Sequence, residues 1–147
     1  MNASLVYLVQ TDTTVGFSST NDEKLSHLKQ RPTSQKILQT VDSLTTLNKQ
    51  TRIPKKYKKM VRKANKTTFI YPNGNSYRAV SKESKYYNFL KKMQPLFSTS
   101  ANLTGKSYDD SFAKKSADVI VDSKEGFSDV GSSSIYKISK YKIKKIR

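Results

Sequence analysis

The chain of 147 residues contains no cysteine and a single histidine. The first absence excludes a disulfide framework, a thiolate metal site and a cysteine nucleophile. The second makes a histidine-based triad a poor expectation, since His27 sits between Leu25 and Leu28 on a short predicted helix. Acidic residues are also scarce, with 11 Asp and Glu against 28 Lys and Arg. The carboxylates are scattered. Asp109 and Asp110 are adjacent, so on a helix they point to different sides and make a poor acid/base pair. No cluster has metal-ligand spacing, so no protein-built metal site is expected. With 5 glycines and 4 prolines, no linker or boundary is visible, and residues 1–147 read as one domain. No apolar run approaches the roughly 20 residues of a membrane helix. No basic leader precedes the apolar N-terminal stretch, so the expectation is a soluble cytoplasmic protein with no membrane partner. Gly105-Lys106-Ser107 ends like a phosphate-binding Walker loop but lacks the glycine five residues earlier.

What is present is positive charge, a formal +17. Such an excess attracts polyanions or nucleotides. Two runs concentrate it: Lys49–Lys66 holds nine basic residues and no acid, and Tyr136–Arg147 holds six more. Tyr57, Tyr136 and Tyr141 are interleaved with them, a pattern suited either to a solvated face or to contact with a phosphate backbone.

Strand and helix signals alternate. "SLVYLVQ" (4–10) reads as a buried strand and "TDTTVGFSS" (11–19) as a polar turn. Thr20 to Glu23 has capping-box spacing and opens a helix that stops at "KQRP". "QKILQTV" (35–41) reads as a strand and "DSLTTL" (42–47) as a short helix. Pro54 opens a helix with Tyr57, Met60, Val61 and Ala64 on one face. "KTTFIYP" and "SYRAVS" flank Asn73-Gly74, a hairpin signal. An amphipathic helix over "KESKYYNFLKKM" (82–93), a strand over "PLFSTS" (95–100), a helix over "YDDSFAKKS" (108–116) and late strands over "ADVIVD", "SSSIYKIS" and "YKIKKIR" complete the pattern. The expected class is α/β, with a twisted mixed sheet flanked by helices.

The polar positions near turns are Thr11, Thr13, Lys29, Arg31, Arg78 and the group in "PLFSTSANLTGKS" (95–107). That stretch gathers Ser98, Thr99, Ser100, Asn102 and Thr104 before its first charge, Lys106. It reads as a Ser/Thr-rich strand end with an Asx-type turn, or as donors and acceptors facing a ligand. The inventory suits positioning and electrostatic stabilisation of a phosphate, where the protein does little covalent chemistry itself.

"TDTTVG" after a strand, "KQRP" after a helix, "SYRAV" before a helix and "STSANLTGKS" after a strand, in this order, resemble the YrdC-like family of threonylcarbamoyl-AMP synthases. The resemblance covers almost the whole chain, and the pairing of Lys29 and Arg31 with Ser100 and Asn102 is its most specific part. The chain departs from the family pattern at Gln10, Val15, Ala64-Asn65-Lys66 and Ser132. The resemblance implies a single YrdC-like domain that joins L-threonine, bicarbonate and ATP into threonylcarbamoyl-AMP and pyrophosphate. A partner transferase would then pass the threonylcarbamoyl group to tRNA. It implies that Lys29, Arg31, Ser100 and Asn102 form the catalytic and ATP-binding set, joined at the nucleotide by Ser133 and Arg147. Thr11, Thr13, Arg78 and Ser98 would take the threonine. Mg2+ would arrive on the triphosphate. Of the five arginines, three coincide with family arginine positions, as expected where a planar fork must hold phosphate or carboxylate. Two other readings stand beside this one: a non-catalytic module of the same fold that binds structured RNA (double-stranded RNA, tRNA or rRNA), and a regulatory subunit that binds nucleotide without turnover.

Overall fold

The computed structural model describes residues 2–93, 95–128 and 131–147. Its strands are β1 (Tyr7–Gln10), β2 (Val15–Ser19), β3 (Gln39–Val41), β4 (Thr67–Ile70), β5 (Ser76–Ala79), β6 (Leu96–Ser100), β7 (Val119–Ile120), β8 (Ser134–Ile138) and β9 (Ile143–Lys145). They form one mixed sheet of nine strands in the order β7-β1-β2-β6-β3-β5-β4-β8-β9. The helices are α1 (Asp22–Leu28), α2 (Leu44–Gln50), α3 (Lys58–Lys63), α4 (Lys85–Met93) and α5 (Asp110–Ser116).

Side chains alternate across the sheet, so the pairing register sorts them into two faces. Leu8, Phe17, Phe97, Val41, Tyr77 and Phe69 share one face. Leu25 of α1 and Ala113 of α5 pack on one half of it, and Leu47 of α2 and Val61 of α3 on the other. The opposite face carries Tyr7, Val9 and Leu96, which α4 covers with Tyr86, Leu90 and Met93. On that same face stand Thr68, Arg78, Ser98 and Ser100, which line a cavity beyond α4. The apolar half of this face therefore makes core, and its polar half makes a cavity.

Several elements differ from the expected ones. Residues 15–19, expected to be a turn, form β2. It lies between β1 and β6 and is buried throughout. Its serines survive there because they are hydrogen-bonded: Ser18 Oγ lies 2.9 Å from the Tyr86 hydroxyl, which also meets Thr40 Oγ1 at 3.0 Å. The N-cap of α1 is Asn21, not Thr20, its Oδ1 accepting from Lys24 N. The expected helix from Pro54 splits into a 3₁₀ turn (Lys55–Tyr57) and α3. The tighter turn shifts the helical phase, so Tyr57 and Val61 are buried while Met60 is 38% exposed. The strands expected over 35–41 and 117–122 shrink to Gln39–Val41 and Val119–Ile120. The hairpin at Asn73-Gly74 forms, with Gly74 at φ +84 and β4 antiparallel to β5. No helix among the described residues is long and apolar enough to cross a membrane.

Candidate functional site

The polar half of the sheet face opens into a cavity of about 430 Å³. Thr11, Thr13, Lys29, Arg31, Arg78, Ser98, Ser100, Asn102, Ser133 and Arg147, the positions singled out from the sequence, all line it. Five cationic side chains reach it, namely Lys29, Arg31, Lys36, Arg78 and Arg147, and no carboxylate is among its described lining residues. No group of His, Cys, Asp or Glu suited to a metal ion occurs among the described residues.

Lys29 enters from the end of α1. The chain turns there because Gln30 adopts a left-handed conformation, φ +53, and Arg31 N donates to Ser26 O at 3.1 Å. Lys29 is 4% exposed. Its ammonium donates to the Ser100 and Asn102 carbonyls, both at 2.8 Å, and lies 3.3 Å from Ser100 Oγ and from Asn102 Oδ1. An ammonium has three protons, so the two short bonds leave one for the hydroxyl, the amide or a ligand. Lys29 is thus first a clamp on the strand end "STSAN" and second a source of positive field. Burial and the neighbouring Arg31 lower its pKa from the usual 10.5 to about 8.

The loop after β6 is fastened to the same point. Thr104 Oγ1 donates to Lys29 O at 3.0 Å, and Asn102 Nδ2 donates to Leu103 O at 2.9 Å. Arg31 is less committed. Its Nη2 donates to Lys36 O at 3.3 Å, while its Nε is buried with no hydrogen-bond partner among the described residues. Burial lowers the Arg31 pKa. An orphaned buried donor costs free energy, and a ligand anion in the cavity would recover it.

At the far wall Arg147 donates through Nε and Nη2 to Ser133 O at 3.1 and 3.0 Å, and Ser133 Oγ meets Thr68 Oγ1 at 2.9 Å. Arg78 is held differently: its Nε and Nη2 both bond to the Asp12 carboxylate, with Nη2–Oδ1 2.9 Å. Asp12 is not among the candidate site residues that the sequence offers. The available signal was its place inside "TDTT" together with the general need of a buried arginine for an acid partner. At the departure from the family pattern in β1, Gln10 is pinned reciprocally: Nε2 donates to Ser128 O at 2.9 Å and Oε1 accepts from Ser128 N at 2.8 Å.

The chain superimposes on P. abyssi Sua5 complexed with L-threonine with a TM-score of 0.82 at 16% identity, over 98% of this chain and 50% of that one. On E. coli YciO the TM-score is 0.75 at 15% identity, over 98% of this chain and 82% of the other. The chain has the YrdC-like fold. Full-length HypF in a phosphate- and nucleotide-bound form contains the same fold, with a TM-score of 0.69 at 12% identity over 98% of this chain and 27% of HypF. The chain spans about half the length of the Sua5 structures it matches. Neither a family model nor a curated protein matches its sequence. Within the YrdC-like fold the cavity lies on the face that α4 leaves open.

Proposed function

We propose that this YrdC-like chain, acting as one domain over residues 1–147, is an L-threonylcarbamoyladenylate synthase. The observation that carries the reading is a cavity with five cations, no described carboxylate and an Arg31 Nε that has no partner among the described residues. Such a lining suits a triphosphate and an amino-acid carboxylate together. The Sua5 structure with L-threonine and the HypF structure with phosphate and nucleotide support the two ligand classes. In this reading the threonine amine takes up CO2 from bicarbonate as a carbamate. The carbamate oxygen attacks the α-phosphate of ATP and expels pyrophosphate. Arg31 and the Lys29 field neutralise the phosphates, and Ser100, Asn102, Ser133 and Arg147 frame the nucleotide. Arg78 takes the threonine carboxylate, with Thr11, Thr13 and Ser98 around the amino acid. Mg2+ comes with the ATP and is held by its phosphates. The acyl adenylate passes to a partner transferase that modifies tRNA in the cytoplasm.

The test is pyrophosphate release from ATP. It should require both L-threonine and bicarbonate. Release with either omitted, or none with all three, overturns the proposal. Arg31→Ala should cost about 1.5–3 kcal/mol in ATP binding or turnover, the scale of a charge-assisted contact, and should leave the melting temperature nearly unchanged.

A second reading, an RNA-binding module, is favoured by one feature. The two lysine runs, far apart in sequence, meet in space: Lys56 Nζ donates to Tyr141 O at 3.1 Å. No ion pair among the described residues uses a lysine of either run. If this surface holds structured RNA or tRNA, affinity should fall steeply with salt. Replacing Lys55, Lys56, Lys58 and Lys59 by glutamine should flatten that dependence; an unchanged affinity and salt slope removes the surface from consideration.

A further inference from the structure

We propose that Asp12 is a positioning residue: it grips one edge of the Arg78 guanidinium from behind the cavity and leaves the other edge as a preset fork for a single carboxylate. The ligand class rests on the functional reading above, whereas the grip itself rests on geometry alone.

A guanidinium carries five N–H donors in a rigid plane. Asp12 occupies the side edge: Nε lies 3.2 and 3.1 Å from Oδ1 and Oδ2, and Nη2 lies 2.9 Å from Oδ1. That uses the Nε proton and one Nη2 proton. The remaining three, on Nη1 and the outer side of Nη2, have no protein partner among the described residues. Arg78 lines the cavity and Asp12 does not. Both side chains are 4% exposed, so neither is free to swing into solvent.

Asp12 is itself aimed by its loop. "TDTT" is the four-residue connection between Gln10 and Val15, which pair across β1 and β2. Thr11 Oγ1 donates to Thr14 O at 2.6 Å and accepts from Thr13 N at 3.2 Å. The Thr11 hydroxyl thus locks the loop, and Asp12 is turned inward under Arg78.

Charge separates this arginine from its neighbours. Among the five cavity cations, only Arg78 has an ion-pair partner among the described residues. Lys29, Arg31, Lys36 and Arg147 keep their net charge for a polyanion. The Asp12–Arg78 pair is formally neutral, so it attracts a triphosphate weakly. Its outer edge still matches a carboxylate in shape and donor spacing. Asp12 therefore sorts the two anions of one reaction into different ends of the cavity.

The test compares L-threonine and ATP binding by calorimetry in the full chain. Asp12→Asn should weaken L-threonine by about tenfold to a hundredfold, the scale for losing a group that orients a binding side chain, while ATP affinity does not fall. Asp12→Glu should recover part of the loss. Equal loss of both ligands means a merely structural role, and unchanged threonine binding means no role; either overturns the proposal. If Asp12→Asn does not fold, the wild-type protein decides, because its arginine side chains are few enough to resolve by 15N NMR. The Arg78 Nε–H should exchange slowly and stay unperturbed when L-threonine shifts Nη1; a threonine-induced shift centred on Nε overturns the grip. If wild-type protein binds no L-threonine, the functional reading fails separately. Acetate then serves as the probe: a shift at Arg78 Nη1 upholds the fork, and none overturns it.

Discussion

Lys29→Met should lower nucleotide affinity by at least about 2 kcal/mol, roughly 30-fold, counting ~1 kcal/mol or more for each of two carbonyls left without a donor. Those carbonyls, Ser100 O and Asn102 O, converge on one ammonium at 2.8 Å. Without it they face one another as part-buried negative dipoles, so the strand end opens and carries Ser100 and Asn102 away from the cavity. Titration of ATP into wild type and variant reads the loss; equal affinities would show that the clamp does not shape the nucleotide site. The same residue sets a pH signature. In the folded chain Lys29 titrates at about 8, against 10.5 as its ordinary value. Between those values the unfolded chain holds one proton more than the folded chain. Stability from this group therefore rises as pH climbs from about 8 towards 10.5. Nucleotide affinity should move the opposite way and fall as pH passes about 8, because the ammonium is lost. Denaturation and binding measured across this range, with Lys29→Met as the flat reference, should separate into these opposite slopes.

Gly16→Val should destabilise the fold by about 1–3 kcal/mol or more, as overpacking against an unyielding neighbour does. A Cβ at Gly16 would lie 2.7 Å from Thr99 O and 3.3 Å from the Thr11 methyl. The first of these is backbone of β6, paired to β2 on the interior of the sheet, so it cannot step aside without breaking the ladder. The second belongs to the loop that aims Asp12. Chemical denaturation should show a lower midpoint with the slope unchanged. A variant as stable as wild type would mean that β2 and β6 part more easily than their hydrogen bonds imply.

Gly16 also shows why its segment resembles a turn in the sequence yet folds as a strand. "TDTTVGFSS" is polar and glycine-containing, the composition of a turn. In the fold only Thr11–Thr14 is loop, and Val15–Ser19 is a fully buried strand. Its serines find partners on residues distant in sequence, Tyr86 for Ser18 and the Ser4 carbonyl for Ser19. Local composition cannot register such partners. Met60 shows the same limit on a smaller scale, since a 3₁₀ turn ahead of α3 changed which side of the helix met the core.

The α/β class, the Asn73-Gly74 hairpin and the residue types available for chemistry are legible in the amino-acid order, because periodicity and turn preferences are short-range and composition needs no coordinates. Residue types and the family resemblance together marked ten positions suited to phosphate and carboxylate. How they are used depends on long-range packing. Lys29 and Ser100 are 71 positions apart, and Arg78 and Asp12 are 66 apart. Which cation spends its donors on the protein, which is paired with an acid and which keeps an orphaned N–H are properties of distances between strands. Those distances follow from the order in which the sheet assembles and from a single helix, α4, that covers the apolar half of one face and leaves the polar half open.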